Sequence, residues 1–440
     1  MLRSSQITET TNSDLVNRLE QQLHACRQFP AAISVEATTL DPLAWLHAQP
    51  TDVRFAWSER DDEQIIAGAG IAAEVIAEVN EPAESTVRRC REMLAGNESL
   101  RFYGGLSFDG SNAWKNFGAG RFILPRFLLS DGSLHLIVMN QEDVANAAMD
   151  LRSLQIAVPE FQTSLPAPSS VSHSPTRDRW QSNVDEALTF IRSEVLEKVV
   201  LARKTTMNFE SSLDPVALTA RIASATHDCF VFCFQFGQDN AFVGATPERL
   251  FRRTDDQLFS EVIAGTRPRG ASSGQDQRLA YELLTSDKDQ LEHDIVRKSI
   301  RQKLHKLVDH LDVDSHASVL RLAQKQHLCS EVQGTLKPGV DEGALLQRLH
   351  PTPAVGGYPT ENALPEIARL EPFNRGWYAA PIGWIGSHDA EFVVGIRSAF
   401  VEPGKLSLYS GAGIVKGSDP DQEWDEVENK IRDFVEILGD

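Results

Sequence analysis

The chain has 440 residues, and 43 Lys and Arg against 62 Asp and Glu give it a formal charge of −19 at pH 7. So acidic a chain would repel the phosphates of nucleic acids and anionic membranes, which argues against both as partners. No run approaches the roughly 18 apolar residues that span a bilayer, and the polar N-terminus lacks the apolar stretch of a secretory signal. We therefore expect a cytoplasmic protein.

The N-terminal part of the chain mixes a helix with strand-like runs. Leucines recur at helical spacing over residues 15–23. Two runs, 122–129 and 134–139, flank the turn signal Asp131-Gly132 and predict a β-hairpin. The Ser- and Pro-rich segment 166–176 is typical of a loop or linker.

Strands and helices occur in clusters in the rest of the chain. Such clusters predict an α+β fold with large, mostly antiparallel sheets rather than alternating βαβ units. No dinucleotide or P-loop motif is present. The predicted strands are 198–202, 229–236, 241–245, 258–263, 377–385, 391–401 and 406–410, and the predicted helices are 184–191, 279–284, 287–311 and 343–349.

The five cysteines are scattered and odd in number, which excludes a disulfide framework. Cys229 and Cys233 face the same way on a predicted buried strand, where core thiols are the simplest interpretation. No zinc-type spacing of Cys and His occurs, so any metal should have oxygen ligands.

Two predicted helices carry paired carboxylates. Ser286 is suited to the N-cap of the first helix, and Asp289 and Glu292 then share one side of its first turns. Asp419 and Pro420 have the pattern that begins the last helix of the sequence.

In that last helix Glu423, Glu426 and Lys430 lie along one flank of the apolar stripe. Solvated charged faces explain the pattern on either helix taken alone. The alternative is that both carboxylate pairs converge on Mg²⁺, which prefers oxygen ligands. Periodicity does not decide between these interpretations.

Nine segments, taken in order, resemble the chorismate-utilising enzyme family. The resemblance is strong over residues ~180–440 and looser before them. The segments are 196–204 (LEKVVLARK), 244–250 (GATPERL), 263–270 (IAGTRPRG), 286–296 (SDKDQLEHDIV), 327–334 (HLCSEVQG), 349–359 (LHPTPAVGGYP), 375–386 (RGWYAAPIGWIG), 393–400 (VVGIRSAF) and 410–430 (SGAGIVKGSDPDQEWDEVENK).

The resemblance implies one large α+β unit with two stacked antiparallel sheets and helices outside. Residues 1–176 would form the N-terminal part, which matches the family weakly, and residues 177–440 the chorismate-binding catalytic region. The two parts would form one integrated structure, with the segment 166–176 as an internal loop.

The family members differ in what attacks ring carbon 2 of chorismate. Members that add ammonia carry Gln at the position of Lys198, and members that add water carry Lys. The resemblance therefore implies that Lys198 is the general base for water, since a lysine serves as a base where its surroundings favour the neutral amine. Glu248 is implied as the general acid that protonates the departing 4-hydroxyl, which requires a raised pKa. Judged alone, Lys198 would be a solvated edge lysine and Glu248 an exposed turn carboxylate or a partner of Arg249.

Further site residues are carried over by their positions in the motifs. Glu292 and Glu426 match the Mg²⁺ carboxylates, with Asp289 and Glu423 in support, partly through water. The residues implied to bind substrate are Gly265, Thr266, His327, Ala354, Tyr378, Arg397, Gly411, Ala412, Gly413 and Lys430. His327 equally fits a hydrogen-bonded core histidine, and Lys430 a structural salt bridge to Glu426 or Glu423.

The resemblance implies an isomerase that converts chorismate to isochorismate with Mg²⁺ and without an obligatory glutamine amidotransferase partner. Ala354 favours this reaction over salicylate synthesis, because salicylate synthases carry Thr at that position. The loose N-terminal match favours menaquinone over siderophore biosynthesis. Salicylate synthesis, an ammonia-using synthase and a non-catalytic binding protein are the alternatives, and the oligomeric state stays open.

Overall fold

Two antiparallel β-sheets face each other and helices cover their outer sides. A computed structural model describes residues 2–156, 165–238, 240–322 and 325–439. Within these ranges every strand pairing is antiparallel. Phe55 of one sheet stacks on Tyr103 of the other with ring centroids 4.3 Å apart, so the apolar core lies between the sheets. The predicted α+β fold is confirmed.

The helices of the described residues, in chain order, are α1 (Leu2–Ala25), α2 (Pro42–Ala48), α3 (Ala83–Leu94), α4 (Val144–Ser153), α5 (Arg177–Arg192), α6 (Pro215–Ala225), α7 (Ser273–Thr285), α8 (Asp287–Leu304), α9 (Glu342–Leu349), α10 (Thr360–Leu370) and α11 (Pro420–Gly439).

The first sheet has the strand order β1-β8-β7-β3-β2-β11-β12-β21-β22-β10-β18 within the described residues, and β9 pairs with β10. Its strands are β1 (Ala31–Glu36), β2 (Val53–Glu59), β3 (Asp62–Ala69), β7 (Phe127–Ser130), β8 (Ser133–Val138), β9 (Ser170–Ser174), β10 (Lys198–Asn208), β11 (Phe230–Phe236), β12 (Ala241–Thr246), β18 (Gly357–Tyr358), β21 (Ser398–Glu402) and β22 (Lys405–Val415).

The second sheet has the order β15-β17-β14-β13-β20-β19-β5-β6-β4 among the described strands, and β16 pairs with β17. Its strands are β4 (Ala73–Ala77), β5 (Phe102–Leu106), β6 (Gly120–Leu124), β13 (Arg249–Thr254), β14 (Gln257–Pro268), β15 (Val308–Val313), β16 (Ser318–Arg321), β17 (Lys325–Leu336), β19 (Pro381–Ile385) and β20 (Asp389–Val394). Each sheet thus joins strands from before and after residue 176.

Two predicted strands are each divided between the two sheets. The run 122–129 breaks at Pro125, so β6 lies in the second sheet and β7 in the first. Proline has no N–H to donate to a ladder, which favours the change of sheet at this point. The predicted turn at Asp131-Gly132 is present, with φ of 48° and 66°, and joins β7 to β8. The run 391–401 breaks in the same way between β20 and β21.

Other boundaries also differ from the predictions. The helix predicted over 287–311 ends at Leu304, and β15 follows it. The strand predicted over 377–385 begins only at Pro381. The segment 166–176 contains the edge strand β9, which pairs with β10 and gives the predicted loop a fixed place in the first sheet.

The predicted caps and buried stripes are confirmed. Ser286 Oγ accepts a hydrogen bond from Asp289 N at 3.3 Å, and Asp419 Oδ1 accepts from Gln422 N at 3.0 Å. All five cysteines are free, and Cys229 and Cys233 are buried as expected. In the described part of the chain no helix has the length and apolar character needed to cross a bilayer.

Candidate active site

A cleft of about 970 Å³, open solvent at its mouth included, lies where the chain passes between the two sheets. Glu248 occupies the link from β12 of the first sheet to β13 of the second. Arg397 occupies the return link from β20 to β21, with a φ of 48°. A β-bulge at Gly265 in β14, where φ is 72°, forms a further wall. Strand ends and irregularities therefore bring separate motifs to one place.

Lys198 is fully buried at the first position of β10. Its Nζ donates to Glu292 Oε1 of α8 at 2.8 Å. A Cβ on Gly413 of β22 would overlap Glu292 Oε1 and lie 2.8 Å from Lys198 Cε, so a side chain here would force the pair to shift. The alternative of a solvated edge lysine is wrong, because Lys198 is buried and its strand pairs with a neighbour on each side. An ammonium removed from water in this way requires a partner, which Glu292 supplies.

Glu248 is also buried, with 7% of its surface exposed, and it lines the cleft. Burial raises its pKa to about 7, even though Lys198 and Arg397 are close enough to pull it down. The adjacent Arg249 does not pair with it, since Arg249 Nε donates to Glu391 at 2.7 Å instead. Glu248 is therefore a carboxyl group that holds a proton near neutral pH, as predicted.

Every carboxylate predicted to hold a metal has a cationic partner. These contacts are Lys198 to Glu292 at 2.8 Å, Lys288 to Glu423 at 2.6 Å, Lys430 to Glu426 at 2.8 Å and Arg267 to Asp289 at 2.6 Å. The pairs balance the buried charge of the cleft.

The carboxylates of α11 differ in their protonation energetics. Burial and the nearby Glu426 raise the pKa of Glu423, although Lys288 opposes them. Burial acts the same way on Glu426, but Lys430 outweighs it and holds that pKa below its ordinary value. Glu292, Glu426 and Asp289 line the cleft, whereas Glu423 lies behind them, 1% exposed.

Within the residues that the structure describes, no three His, Cys, Asp or Glu side chains converge as a complete metal site. Mg²⁺ commonly takes only one or two protein carboxylates and keeps water or substrate oxygens as its other ligands. The oxygen-only donors of Glu292 and Glu426, at a cleft open to solvent, fit that pattern.

His327 links three of the predicted substrate residues. Its Nε2 accepts a hydrogen bond from Arg397 at 2.7 Å, and its Nδ1 lies 3.1 Å from both Thr266 Oγ1 and Gly265 O. Because a guanidinium only donates, His327 must be the neutral tautomer with hydrogen on Nδ1. Burial and Arg397 hold its pKa well below the usual range, which maintains that form. His327 is thus both a buried, hydrogen-bonded histidine and part of the cleft wall.

The Gly-Ala-Gly segment of β22 differs in part from the prediction. The N–H of Val200 donates to Gly356 O, on the side away from β22. Hydrogen-bonded and non-hydrogen-bonded pairs alternate along an antiparallel ladder, so the next pair, Leu201 and Ala412, is hydrogen-bonded between β10 and β22. The N–H of Ala412 is therefore not available to a ligand. Gly411 and Gly413 turn their backbone groups away from β10, and Gly411 O accepts from Lys430 at 3.0 Å.

Tyr378 stands beside Gly411 and stacks on Tyr409, with ring centroids 5.2 Å apart and planes at 20°. Both tyrosines line the cleft, as does the half-buried Ala354. Some residues of the cleft lining were not predicted from the sequence. Most of them are apolar, and their sequence patterns are those of ordinary core strands. These are Val200, Pro247, Ile263, Ala264, Lys288, Val355, Ile396, Tyr409 and Ser410.

Known proteins resemble this chain over most of its length. The sequence profile described as chorismate binding enzyme matches residues 17–439. Isochorismate synthase 2, chloroplastic, of Arabidopsis thaliana is 39% identical over 400 residues, which are 86% of this chain and 71% of that protein. Isochorismate synthase MenF of Escherichia coli is 33% identical over 446 residues, 96% and 99% of the two chains.

The solved structure of MenF, described as the menaquinone-specific isochorismate synthase of Escherichia coli, superposes with a TM-score of 0.86 at 32% identity. The match covers 96% of this chain and 99% of that one. The chain therefore belongs to the chorismate binding enzyme family, and it is an enzyme. The resemblance found in the sequence is confirmed.

Replacing Gly413 with Ala should destabilise the fold, because the new methyl group would collide with Glu292 and Lys198. Because the displaced atoms are side-chain ends, the loss in the free energy of unfolding, measured by urea denaturation, should be about 1 kcal/mol, at the low end for overpacking. Gly274→Ala is the matched control, since its added Cβ meets nothing within 4 Å. Equal stability of the two variants would contradict the close packing described here.

Glu248→Gln should change how stability depends on pH. The pKa of Glu248 rises from 4.5 to about 7 on folding, so the native state keeps a proton that the unfolded chain releases. Wild-type stability therefore falls as pH rises through that window, by roughly 3 kcal/mol, and the variant lacks this loss.

The measurement is urea denaturation of both proteins between pH 5 and 8. The stability of Glu248→Gln relative to wild type should rise with pH across this range. The exposed Glu92, changed to Gln, serves as the control and should follow the wild type. Parallel curves for wild type and Glu248→Gln would show that the carboxyl group titrates normally.

Proposed function

We propose that the protein is an isochorismate synthase, an isomerase that converts chorismate to isochorismate. The observation that carries this proposal is the buried, proton-holding carboxyl of Glu248 in the cleft wall, together with the amine of Lys198. Lys198 does not itself line the cleft, but it is buried against the wall residue Glu292, to which its Nζ donates at 2.8 Å. The similarity to isochorismate synthases over almost the whole chain supports it.

Lys198 takes the proton from the attacking water. In its neutral form the amine still donates one N–H to Glu292 Oε1, at the observed 2.8 Å, while its lone pair accepts the proton. Glu292 thus fixes the direction of the lone pair, and the surrounding strands keep bulk water from the amine. Ammonia needs no such base, which disfavours an amine-adding reaction and a glutamine amidotransferase partner.

Glu248 supplies the balancing proton. The oxygen of water bonds to ring carbon 2, the ring double bond shifts, and the bond from carbon 4 to its hydroxyl breaks as Glu248 protonates the leaving oxygen. One water enters and one leaves, so the product is an isomer of the substrate. A carboxyl pKa of about 7 suits this step, because it balances proton availability at neutral pH against ease of transfer.

The remaining wall suits a substrate with two carboxylates. Arg397, held by His327, and Lys430, held by Glu426 and Gly411, are cations whose positions are fixed before a ligand arrives. Tyr378 and the strand segment at Gly411 limit the space beside these two cations. We assign the enolpyruvyl carboxylate to Arg397 and Tyr378.

We propose that Glu292 and Glu426 hold Mg²⁺, with Glu423 and Asp289 acting through water. Glu292 and Glu426 present carboxylate oxygens at a cleft open to solvent, which suits a divalent cation that keeps water or substrate oxygens as its other ligands. When bound, the ion neutralises the ring carboxylate at the reacting end of the substrate. We further propose a role in menaquinone biosynthesis, supported by the full-length similarity to the menaquinone-specific enzyme of Escherichia coli.

Lys198→Ala should lower isochorismate formation by about 10²- to 10⁴-fold, the usual contribution of a general base. The assay incubates the protein with chorismate and Mg²⁺ and separates the products chromatographically, which also detects salicylate and pyruvate. Lys306→Ala, at an exposed site, is the control and should behave as wild type. Wild-type turnover in Lys198→Ala would remove this residue as the base.

Chelation of divalent ions should abolish turnover, and added Mg²⁺ should restore it. Glu426→Gln should weaken Mg²⁺ binding, measured by calorimetry, by roughly tenfold or more, as expected for a group in or beside a metal site. The exposed Asp425 on the same helix, changed to Asn, controls for the lost charge. Full turnover in chelator would refute the metal requirement.

A further inference from the structure

A second cavity of about 820 Å³, open solvent included, lies on the far side of Tyr409 from the active-site cleft. We name it the lysine cavity. The residues that decide its chemistry are Lys115, Lys204, Lys405, Trp114, Phe373 and Tyr409. The reaction proposed above uses none of its lysines.

The lysine cavity is positively charged in an otherwise acidic protein. Among the described residues of its wall, three lysines face one acidic residue, Glu402, which pairs with Lys405 at 2.6 Å. Burial lowers the pKa of Lys204 and the neighbouring Lys405 lowers it further, while Glu402 opposes them. An anion placed here would meet more lysines than carboxylates in the described wall. The chain has a net charge of −19, which makes such a concentration of cations unusual.

Aromatic rings form the rest of the wall. Trp114 stacks on Phe400 with centroids 4.0 Å apart, and Lys204 Nζ lies 5.6 Å from the centre of the Phe373 ring. A site that combines ring surfaces with ammonium groups suits a ligand with an unsaturated ring and an acidic group. A simple inorganic anion would leave the ring surfaces unused.

Tyr409 connects the two cavities. Its ring contacts Phe373 at 5.8 Å and Trp114 at 5.7 Å on one side, and it stacks on Tyr378 at 5.2 Å on the other. It is also paired across the ladder with Lys204. A ligand that moves the Tyr409 ring therefore moves a wall of the cleft.

We propose that the lysine cavity binds a small ring compound bearing a carboxylate, and that its occupant alters the chorismate cleft through Tyr409. This inference goes beyond the proposed function, because binding at the lysine cavity needs none of the catalytic residues.

Calorimetric titration with benzoate tests the site directly. Wild type should bind benzoate, and Lys204→Met, which keeps the side-chain length, should bind it at least tenfold more weakly. Arg397→Ala should bind as wild type does, since it changes only the cleft. Lys306→Met controls for a lost surface charge, and circular dichroism confirms that each variant is folded.

Acetate separates the role of the ring from that of the charge, and it should bind at least tenfold more weakly than benzoate. Three results would overturn the site: no benzoate binding up to about 10 mM, equal affinity in Lys204→Met, or a loss of binding in Arg397→Ala. The last result would place benzoate in the active-site cleft.

The coupling has its own measurement. Saturating benzoate should change the KM for chorismate at least twofold in wild type and leave it unchanged in Lys204→Met. Strictly competitive inhibition that survives Lys204→Met would overturn the coupling. This measurement rests on the proposed function, whereas the calorimetry does not, so the two can fail separately.

Discussion

The ion pair of Lys198 with Glu292 is the contact on which the rest of the cleft depends. A fully buried ammonium is costly unless it is paired, so Lys198 depends on Glu292, whose carboxylate also faces the cleft. The pair joins β10 to α8, and Gly413 of β22 leaves the space that the two side chains occupy. The same requirement explains why Lys288 accompanies the buried Glu423. The cleft is acidic in its residues and balanced in its charge.

The exchange of strands between the sheets brings the acid and the anion-binding residue to the same cleft. Glu248 and Arg397 lie on oppositely directed links between the two sheets, and the bulge at Gly265 curves a third strand toward them. Because the backbone at these points leaves the ladder, side chains there can face the cleft instead of the core. His327 then holds Arg397 from behind. Rigid strands on each side keep the groups in place without a ligand.

The stacked rings of Tyr378 and Tyr409 separate two cavities of different character. One is balanced in charge and lined by carboxylates suited to a metal, and the other is cationic and aromatic. An aromatic stack is a wall that can shift by small rotations without breaking a hydrogen bond. This property makes a response of the cleft to a ligand behind it physically reasonable.

The α+β class, the buried leucine stripe of α1 and the caps at Ser286 and Asp419 could be predicted from the sequence, since they follow from local periodicity and local hydrogen bonds. The motifs also pointed to Lys198 and Glu248. Three features became visible only in the folded chain: the division of the runs 122–129 and 391–401 between two sheets, the use of the Ala412 N–H in the ladder, and the pairing of Lys288 with Glu423. The residue pattern of a strand does not show which sheet the strand joins. A cationic partner more than a hundred residues away leaves no local pattern either. Long-range pairing therefore decides what local chemistry leaves open.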